Sequence, residues 1–109
     1  MGEKKHPGEL EQMVLLAILR LKGRGYGTAI LRELKIRGSR TVSPGALYAT
    51  VDRLESKGLI ASRLGDPTPG RGGKRRRYVT VTRRGVAALR AARRAWARMS
   101  DGLKEVTES

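Results

Sequence analysis

The hydrophobic period of this sequence changes at Gly58. Before that residue, apolar side chains recur every three or four positions in three successive segments, which predicts three helices. After it, residues 59–65 and 78–81 have the β-branched and alternating pattern of two short strands, joined by a glycine-rich loop. A helical period returns after Thr82. The predicted fold is therefore mainly α with a small antiparallel β-hairpin (α+β), in the order helix, helix, helix, hairpin, long helix.

Local residues place the ends of the predicted helices. The first helix is expected to begin at Glu9, and the second to cover about residues 27–37. Ser43 followed by Pro44 is a strong start for the third, because serine caps a helix well and proline suits its first position. That helix is expected to continue to Lys57.

The last helix carries a seam of apolar residues at alternating spacings of three and four, which is typical of a helix that pairs with another helix. The seam consists of Leu89, Ala92, Trp96, Met99, Leu103 and Val106. Three helices followed by a hairpin form a winged helix-turn-helix. The predicted organisation is an N-terminal tail (1–8), a winged helix-turn-helix DNA-binding domain (9–82), a C-terminal dimerisation helix (83–106) and a tail (107–109).

Positive charge dominates the second half of the chain. The sequence holds 24 lysines and arginines against 10 acidic residues, a net charge of +14. Residues 67–100 contain no acidic side chain at all, whereas a merely solubilising surface normally mixes both signs. This block favours a polyanionic partner, and nucleic acid is the natural one.

Other function classes find little support in the sequence. There is no cysteine, and the one histidine, His6, lies in the charged tail, so no metal or cofactor is expected. Asp52 and Glu55 lack a histidine partner, which argues against an enzyme. The longest apolar run, residues 13–19, is too short to span a membrane, and no secretory signal is recognisable. We expect a cytoplasmic protein that joins the nucleoid when bound to DNA.

The third helix and the hairpin tip hold the candidate DNA-binding residues. A helix that enters the major groove should have small residues near its N-terminus, and this one offers Ser43, Gly45 and Ala49. The strand alternation places Arg77 on the face of Val79, so it is a weaker candidate than the basic residues nearer the tip. The full set is Tyr26, Ser43, Pro44, Gly45, Tyr48, Ala49, Arg53, Arg71, Lys74, Arg75 and Arg76.

The first and last helices hold the candidate dimer interface, because both carry more apolar surface than one domain needs to cover. The predicted interface residues are Leu10, Met13, Leu16, Leu89, Ala92, Trp96, Met99 and Leu103. Trp96 and Met99 could also frame a slot for a planar apolar effector. The competing interpretation is that Trp96 is simply a large interface anchor.

Several short motifs resemble PadR-type transcriptional regulators over about residues 9–100. They are Tyr26-Gly27, the stretch Ser43-Pro44-Gly45-Ala46-Leu47-Tyr48, Gly58-Leu59-Ile60, and the wing Gly72-Gly73-Lys74-Arg75-Arg76-Arg77-Tyr78 followed by Thr82 and Gly85. The single helix after the wing is similar to the short subgroup of that family. The resemblance implies a homodimer, held by the first and last helices, that binds a pseudo-palindromic operator and usually represses. It also implies that Ser43, Gly45 and Tyr48 lie at the DNA surface. Arg83-Arg84 departs from the family pattern, in which proline or acidic residues are frequent.

Two other functions stay open from the sequence. The basic block alone would serve a non-specific nucleic-acid-binding protein, associated with the nucleoid or the ribosome. A winged helix can also act as a protein-interaction module that docks on another regulator.

Overall fold

The computed structural model describes residues 7–67, 72 and 75–107, and its element order confirms the predicted one. The elements are α1 (Glu9–Leu21), α2 (Gly27–Ile36), α3 (Pro44–Ser56), β1 (Ile60–Leu64), β2 (Arg77–Val81), α4 (Arg83–Ser100) and a short α5 (Lys104–Thr107). The fold class predicted from the sequence is confirmed. In the described part of the chain, no helix is long and apolar enough to cross a membrane.

Helix α1 is the centre of the molecule, because α2, α3, α4 and β2 all pack against it. Its residues Val14, Leu15 and Ile18 are almost completely buried. Leu47, Val51 and Leu54 of α3 pack against them, and Leu89 of α4 joins the same core. A core of aliphatic side chains drawn from every major element supplies most of the burial that holds so small a domain together.

The start of α3 is built as the sequence predicts. The Ser43 Oγ accepts a hydrogen bond from the Ala46 N–H at 3.1 Å, and Pro44 is the first helical residue. The helix ends at Ser56, one residue before the predicted end, with Lys57 as its C-cap, and Gly58 follows with a left-handed φ of 74°. These local contacts set where the exposed N-terminal end of α3 begins.

The hairpin is antiparallel, with Ile60 opposite Val81 and Leu64 opposite Arg77. A backbone hydrogen bond attaches it to the helical domain. The Val79 N–H donates to the Gly25 carbonyl oxygen at 2.8 Å, which ties β2 to the loop between α1 and α2. The base of the hairpin is therefore fixed against the helical domain.

Thr82 joins the hairpin to α4. Its Oγ1 accepts from the Gly85 N–H at 3.0 Å and donates to the Gly58 carbonyl oxygen at 2.7 Å, so one hydroxyl caps α4 and links it to the end of α3. Gly85 packs so closely on the hairpin that a Cβ there would collide with the Leu59 carbonyl oxygen. The glycine allows the first turn of α4 to lie directly on β1.

The prediction of one unbroken helix over residues 83–106 is wrong. Helix α4 ends at Ser100, Gly102 has a left-handed φ of 83°, and the chain then forms the single turn of α5. The Ser100 hydroxyl donates to the Trp96 carbonyl oxygen at 2.6 Å. A hydroxyl that competes for backbone carbonyls near a glycine favours a helix end. Leu103 and Val106 therefore do not continue the seam of α4.

Candidate nucleic-acid interface

The exposed face of α3 carries the predicted small residues. Ser43, Pro44, Gly45 and Ala49 are all exposed, while Leu47, Val51 and Leu54 face the core. A Cβ added at Gly45 would meet no atom within 4 Å, so nothing inside the subunit requires a glycine there. The result is an uncrowded helix end at which the Ser43 cap leaves the Gly45 N–H unoccupied, an arrangement that suits an approaching anion.

Tyr48 does not extend straight outward from α3. Its ring lies over the first turn of α2, where a Cβ at Gly27 would come within 2.5 Å of the phenol oxygen. About half of the Tyr48 side chain stays exposed, and Tyr26 is the capping residue of the same turn. The structure therefore brings Tyr48 close to the start of α2, and both can face one ligand.

Arg53 is only partly available to a partner. Its Nε lies 3.8 Å from Glu11 Oε2, and Lys57 Nζ lies 3.0 Å from the same oxygen. Glu11 is buried, which by itself raises its pKa. The Gly8 N–H, Lys57 and Arg53 outweigh that effect and hold the pKa of Glu11 below its usual value. This buried carboxylate ties α3 to the start of α1.

Arg77 binds carboxylates of α3 instead of facing outward. Its guanidinium donates to Asp52 Oδ1 at 3.2 Å and also to Glu55 Oε1. Glu55 accepts a further bond from the Ser62 hydroxyl at 2.7 Å. The hydrogen bonds from Ser62 and Arg77 lower the pKa of Glu55, so the carboxylate stays ionised. This cluster fastens both strands of the hairpin to α3 and sets the angle between them.

Arg76, a predicted DNA contact, is partly buried against an aromatic cluster. Its Cζ lies 4.3 Å above the centre of the Tyr26 ring, and Tyr26 meets Tyr78 edge to face at 5.7 Å. On the other side, the Arg63 Cζ lies 4.7 Å above the Tyr78 ring. The four side chains follow one another in the order Arg76, Tyr26, Tyr78 and Arg63, and so join the hairpin to the start of α2. They stiffen it, and they limit how far the Arg76 side chain can extend.

The tip of the hairpin is described only in part. Arg71 and Lys74, both predicted DNA contacts, lie outside the described residues. Arg75 is exposed and forms no ion pair with any residue that the structure describes. Among the described arginines 75–77, Arg75 is thus the one whose cation is open to a partner.

The predicted dimer interface divides into two groups. Leu89 is 6% exposed and Ala92 is 2% exposed, so the structure places both in the core of the subunit, which corrects their assignment to a surface seam. Trp96 and Met99, in contrast, are 67% and 80% exposed. Leu89 packs into the core formed with the other helices, whereas no described residue covers Trp96 and Met99 to the same extent.

The exposed apolar group continues from α4 onto neighbouring elements. Leu16 and Leu103 are also exposed, while Leu10 and Met13 are partly buried at the edge of the core. Trp96 and Met99 line a shallow cavity of about 390 Å³ together with Gln12, Ala92 and Ala95. The two residues predicted to frame an effector slot are therefore brought together. No cluster of three histidine or acidic side chains that could hold a metal ion occurs among the described residues.

Comparison with known proteins decides the family. Residues 15–91, well over half of the chain, match the model of the Transcriptional regulator PadR-like family. The chain belongs to the PadR-like family. Its resemblance to PadR-type regulators, based on the residues of α3 and the wing, is thereby confirmed.

Individual relatives agree with the PadR assignment. Transcriptional regulator Rv3488 of Mycobacterium tuberculosis is 43% identical over 72 residues, which cover 64% of this chain and 61% of that protein. A PadR family transcriptional regulator from Eggerthella lenta is 31% identical, with a TM-score of 0.68 over 93% of this chain and 88% of the other. A transcriptional regulator from Clostridium thermocellum shares the fold, with a TM-score of 0.71 at 22% identity, over 89% of this chain and 91% of the other.

The sequence analysis did not identify two polar residues that support the α3 and wing region of this PadR-family protein. Thr50 is fully buried on α3, where its hydroxyl donates to the Ala46 carbonyl oxygen at 2.8 Å and accepts from Arg53 at 3.2 Å. Arg63 joins the tyrosine cluster from the other strand. The hydrophobic pattern could not identify either residue, because both act through polar contacts with specific neighbours.

Proposed function

We propose that the protein is a sequence-specific, DNA-binding transcriptional regulator that acts as a homodimeric repressor. In this proposal α3 enters the major groove of double-stranded DNA, and the basic wing contacts the backbone or the minor groove. The observation that carries it is the uncrowded, capped N-terminal end of α3, with Gly45 open to solvent. Membership of the PadR-like family supports it.

The rigid attachment of the wing supports a joint use of α3 and the hairpin. Arg77 joins β2 to Asp52 and Glu55, which lie on α3 itself. A reading helix and a backbone-contacting wing must keep a constant separation in order to fit one duplex. The ion pairs of Arg77 hold the hairpin at a fixed separation from α3. The exposed Arg75 supplies positive charge near the tip of the hairpin.

The exposed apolar side chains of α1 and α4 support a homodimer. Trp96, Met99 and Leu16 would be buried by a second copy, since a soluble monomer rarely keeps such a group of large apolar residues in water. Two α3 helices must lie about 34 Å apart to enter successive major grooves, which predicts a pseudo-palindromic operator. Bound at a promoter, such a dimer would block polymerase by occupying the site.

The cavity at Trp96 and Met99 would take a planar apolar effector in this scheme. Its lining is almost entirely apolar, and it lies on the face assigned to the second copy. A ligand there would change the distance between the two α3 helices and so release the operator. The simpler alternative is that Trp96 only anchors the dimer.

Non-specific nucleic-acid binding is the second candidate. The observation in its favour is that six of the 24 basic residues lie on α4, outside both α3 and the wing. Selection of bound duplexes from a random pool separates the two functions. A recurring inverted repeat supports the repressor, whereas a pool without a shared sequence supports the alternative. The salt dependence of binding does not separate the two functions, because affinity would fall steeply with salt concentration in both cases.

The wing is tested with the double variant Arg71→Ala and Lys74→Ala. If these side chains contact phosphates, affinity should fall for every duplex, and the slope of log affinity against log salt should fall by about 2 per subunit. Ala87→Ser, an exposed change on α4, is a control outside α3 and the wing. A loss restricted to the selected operator would contradict a backbone role.

A further inference from the structure

The outward face of α4 carries a continuous line of arginines. At 100° per residue, four of them lie within an arc of about 80° and all are exposed: Arg83, Arg90, Arg94 and Arg98. We call these four residues the α4 arginine stripe. The opposite face of the same helix holds Leu89 and Ala92 in the core, and Trp96 on the apolar surface. The stripe therefore stays exposed when the apolar face is covered.

The fold itself does not account for this stripe. Arg83 lies in the first turn, where the helix dipole disfavours a cation. Arg90, Arg94 and Arg98 follow one another at four-residue spacing, at which like charges repel. Residues 83–100 include no acidic side chain, and none of the ion pairs among the described residues includes an arginine of α4. The charges therefore weaken the isolated helix, and no acidic residue that the structure describes neutralises them.

The stripe begins away from the end of α3 that is proposed to read DNA. The Thr82 hydroxyl donates to the Gly58 carbonyl oxygen, so α4 starts beside the C-terminal end of α3. Ser43 caps the opposite end of α3, about 20 Å away along the helix. A duplex seated on the N-terminal end of α3 is therefore expected to leave Arg90, Arg94 and Arg98 of the same subunit exposed.

We propose that the α4 arginine stripe binds the backbone of a second DNA duplex, so that the protein bridges two duplexes. This inference rests on the proposed function for the first duplex. The stripe extends over about 22 Å, which exceeds any single phosphate group and matches a long, evenly charged partner. Its cations are all arginines, whose planar guanidinium groups bind phosphate oxygens in pairs.

Duplex DNA fits the stripe better than a single strand does. Proteins that bind single strands stack bases on aromatic side chains. The only aromatic residue of α4 is Trp96, which lies on the opposite face. The residues between the arginines are small, as at Ala87 and Ala97, and would let the helix approach a phosphate backbone closely.

The test compares two triple variants that remove the same charge. One is the stripe variant, with Arg90→Gln, Arg94→Gln and Arg98→Gln. The other is the wing variant, with Arg71→Gln, Lys74→Gln and Arg75→Gln. An immobilised duplex of the selected operator is saturated with full-length protein, and capture of a labelled duplex of unrelated sequence is measured. The stripe variant should bind the operator within about twofold of the unmodified protein but capture the second duplex at least tenfold less. The wing variant should lose operator affinity.

Salt dependence and thermal stability provide independent readouts. The salt slope for second-duplex capture should fall by about 3 in the stripe variant, since each arginine–phosphate contact contributes roughly 0.9. Its thermal unfolding midpoint should stay equal or rise, because glutamine keeps the helix and removes repulsion. That midpoint can be measured even if no operator is found. If the proposed function is wrong, the selected duplexes will share no sequence. The thermal unfolding midpoint of the stripe variant does not depend on that outcome.

Three results would overturn the inference. The first is unchanged capture of the second duplex by the stripe variant. The second is a loss of operator affinity as large in the stripe variant as in the wing variant, which would place the stripe on the first duplex. The third is capture of an RNA duplex or an acidic peptide in place of DNA under the same conditions.

Discussion

The substitution Gly45→Ala separates stability from DNA binding at the start of α3. Nothing lies within 4 Å of an added Cβ, so the methyl group fits the free protein without strain. Replacing glycine by alanine in such a position reduces the entropy of the unfolded chain and stabilises by about 0.4–1 kcal/mol. For a domain of this size, the thermal midpoint should rise by roughly 2–8 °C.

The same methyl group should weaken operator binding. If the end of α3 approaches DNA closely, the added group occupies the contact, and overpacking of this kind costs about 1–3 kcal/mol. That corresponds to an affinity about 5- to 150-fold lower. Circular dichroism gives the thermal midpoint, and fluorescence anisotropy with the selected operator gives the affinity.

Gly85→Ala is the matched control for this prediction. Its Cβ would collide with the Leu59 carbonyl oxygen, so we expect a loss of about 1–3 kcal/mol in the free energy of unfolding. Its folded fraction should bind the operator normally. If Gly45→Ala bound the operator as tightly as the unmodified protein, the close approach of α3 to DNA would be refuted. A loss of stability in Gly45→Ala would refute the conclusion that the space beside Gly45 is open.

Three further predictions concern the polar clusters and the apolar face. Trp96→Ala should leave the subunit folded, because the side chain is 67% exposed, but should weaken self-association at least tenfold in sedimentation experiments and weaken operator binding with it. Arg77→Gln should lower operator affinity several-fold while costing about 1 kcal/mol or less in thermal stability, since its ion pairs are partly exposed. The pKa of Glu11 is held below 4.5, so its carboxylate stabilises the fold above that pH, and the contribution is lost as the pH falls through the lowered value. In urea titrations below about pH 5, the unmodified protein should therefore lose stability faster than Glu11→Gln.

The helices were predictable because their limits depend on near neighbours. Ser43 and Pro44 begin α3 through a side-chain cap and a backbone preference, and both act within one turn. The end of α4 shows where this reasoning fails. The heptad spacing favoured continuation to residue 106, but the Ser100 hydroxyl and the left-handed Gly102 end the helix. The spacing of apolar residues does not show whether a single glycine or serine among them ends the helix.

The sequence predicted much less well which arginines are free to bind a partner molecule. Arg53, Arg76 and Arg77 look alike in the sequence, yet one reaches the buried Glu11, one lies on the Tyr26 ring and one binds Asp52 and Glu55. These partners are distant along the chain, so no local pattern connects them. The sequence distinguished only Arg77 from the other two, because strand alternation places it on the same face of the hairpin as Val79.

The sequence alone determined the types of element, their order and the positive charge of the chain, since helix caps, hydrophobic period and composition are local or additive properties. The tertiary structure decided which arginines are left without an acidic partner and which apolar residues of α4 belong to the subunit core. Leu89 is buried and Trp96 is exposed on one face of one helix, because Leu89 packs into the core with the other helices and the described chain leaves Trp96 uncovered. That outcome depends on where two distant segments meet, and contacts of this kind are set by packing in three dimensions.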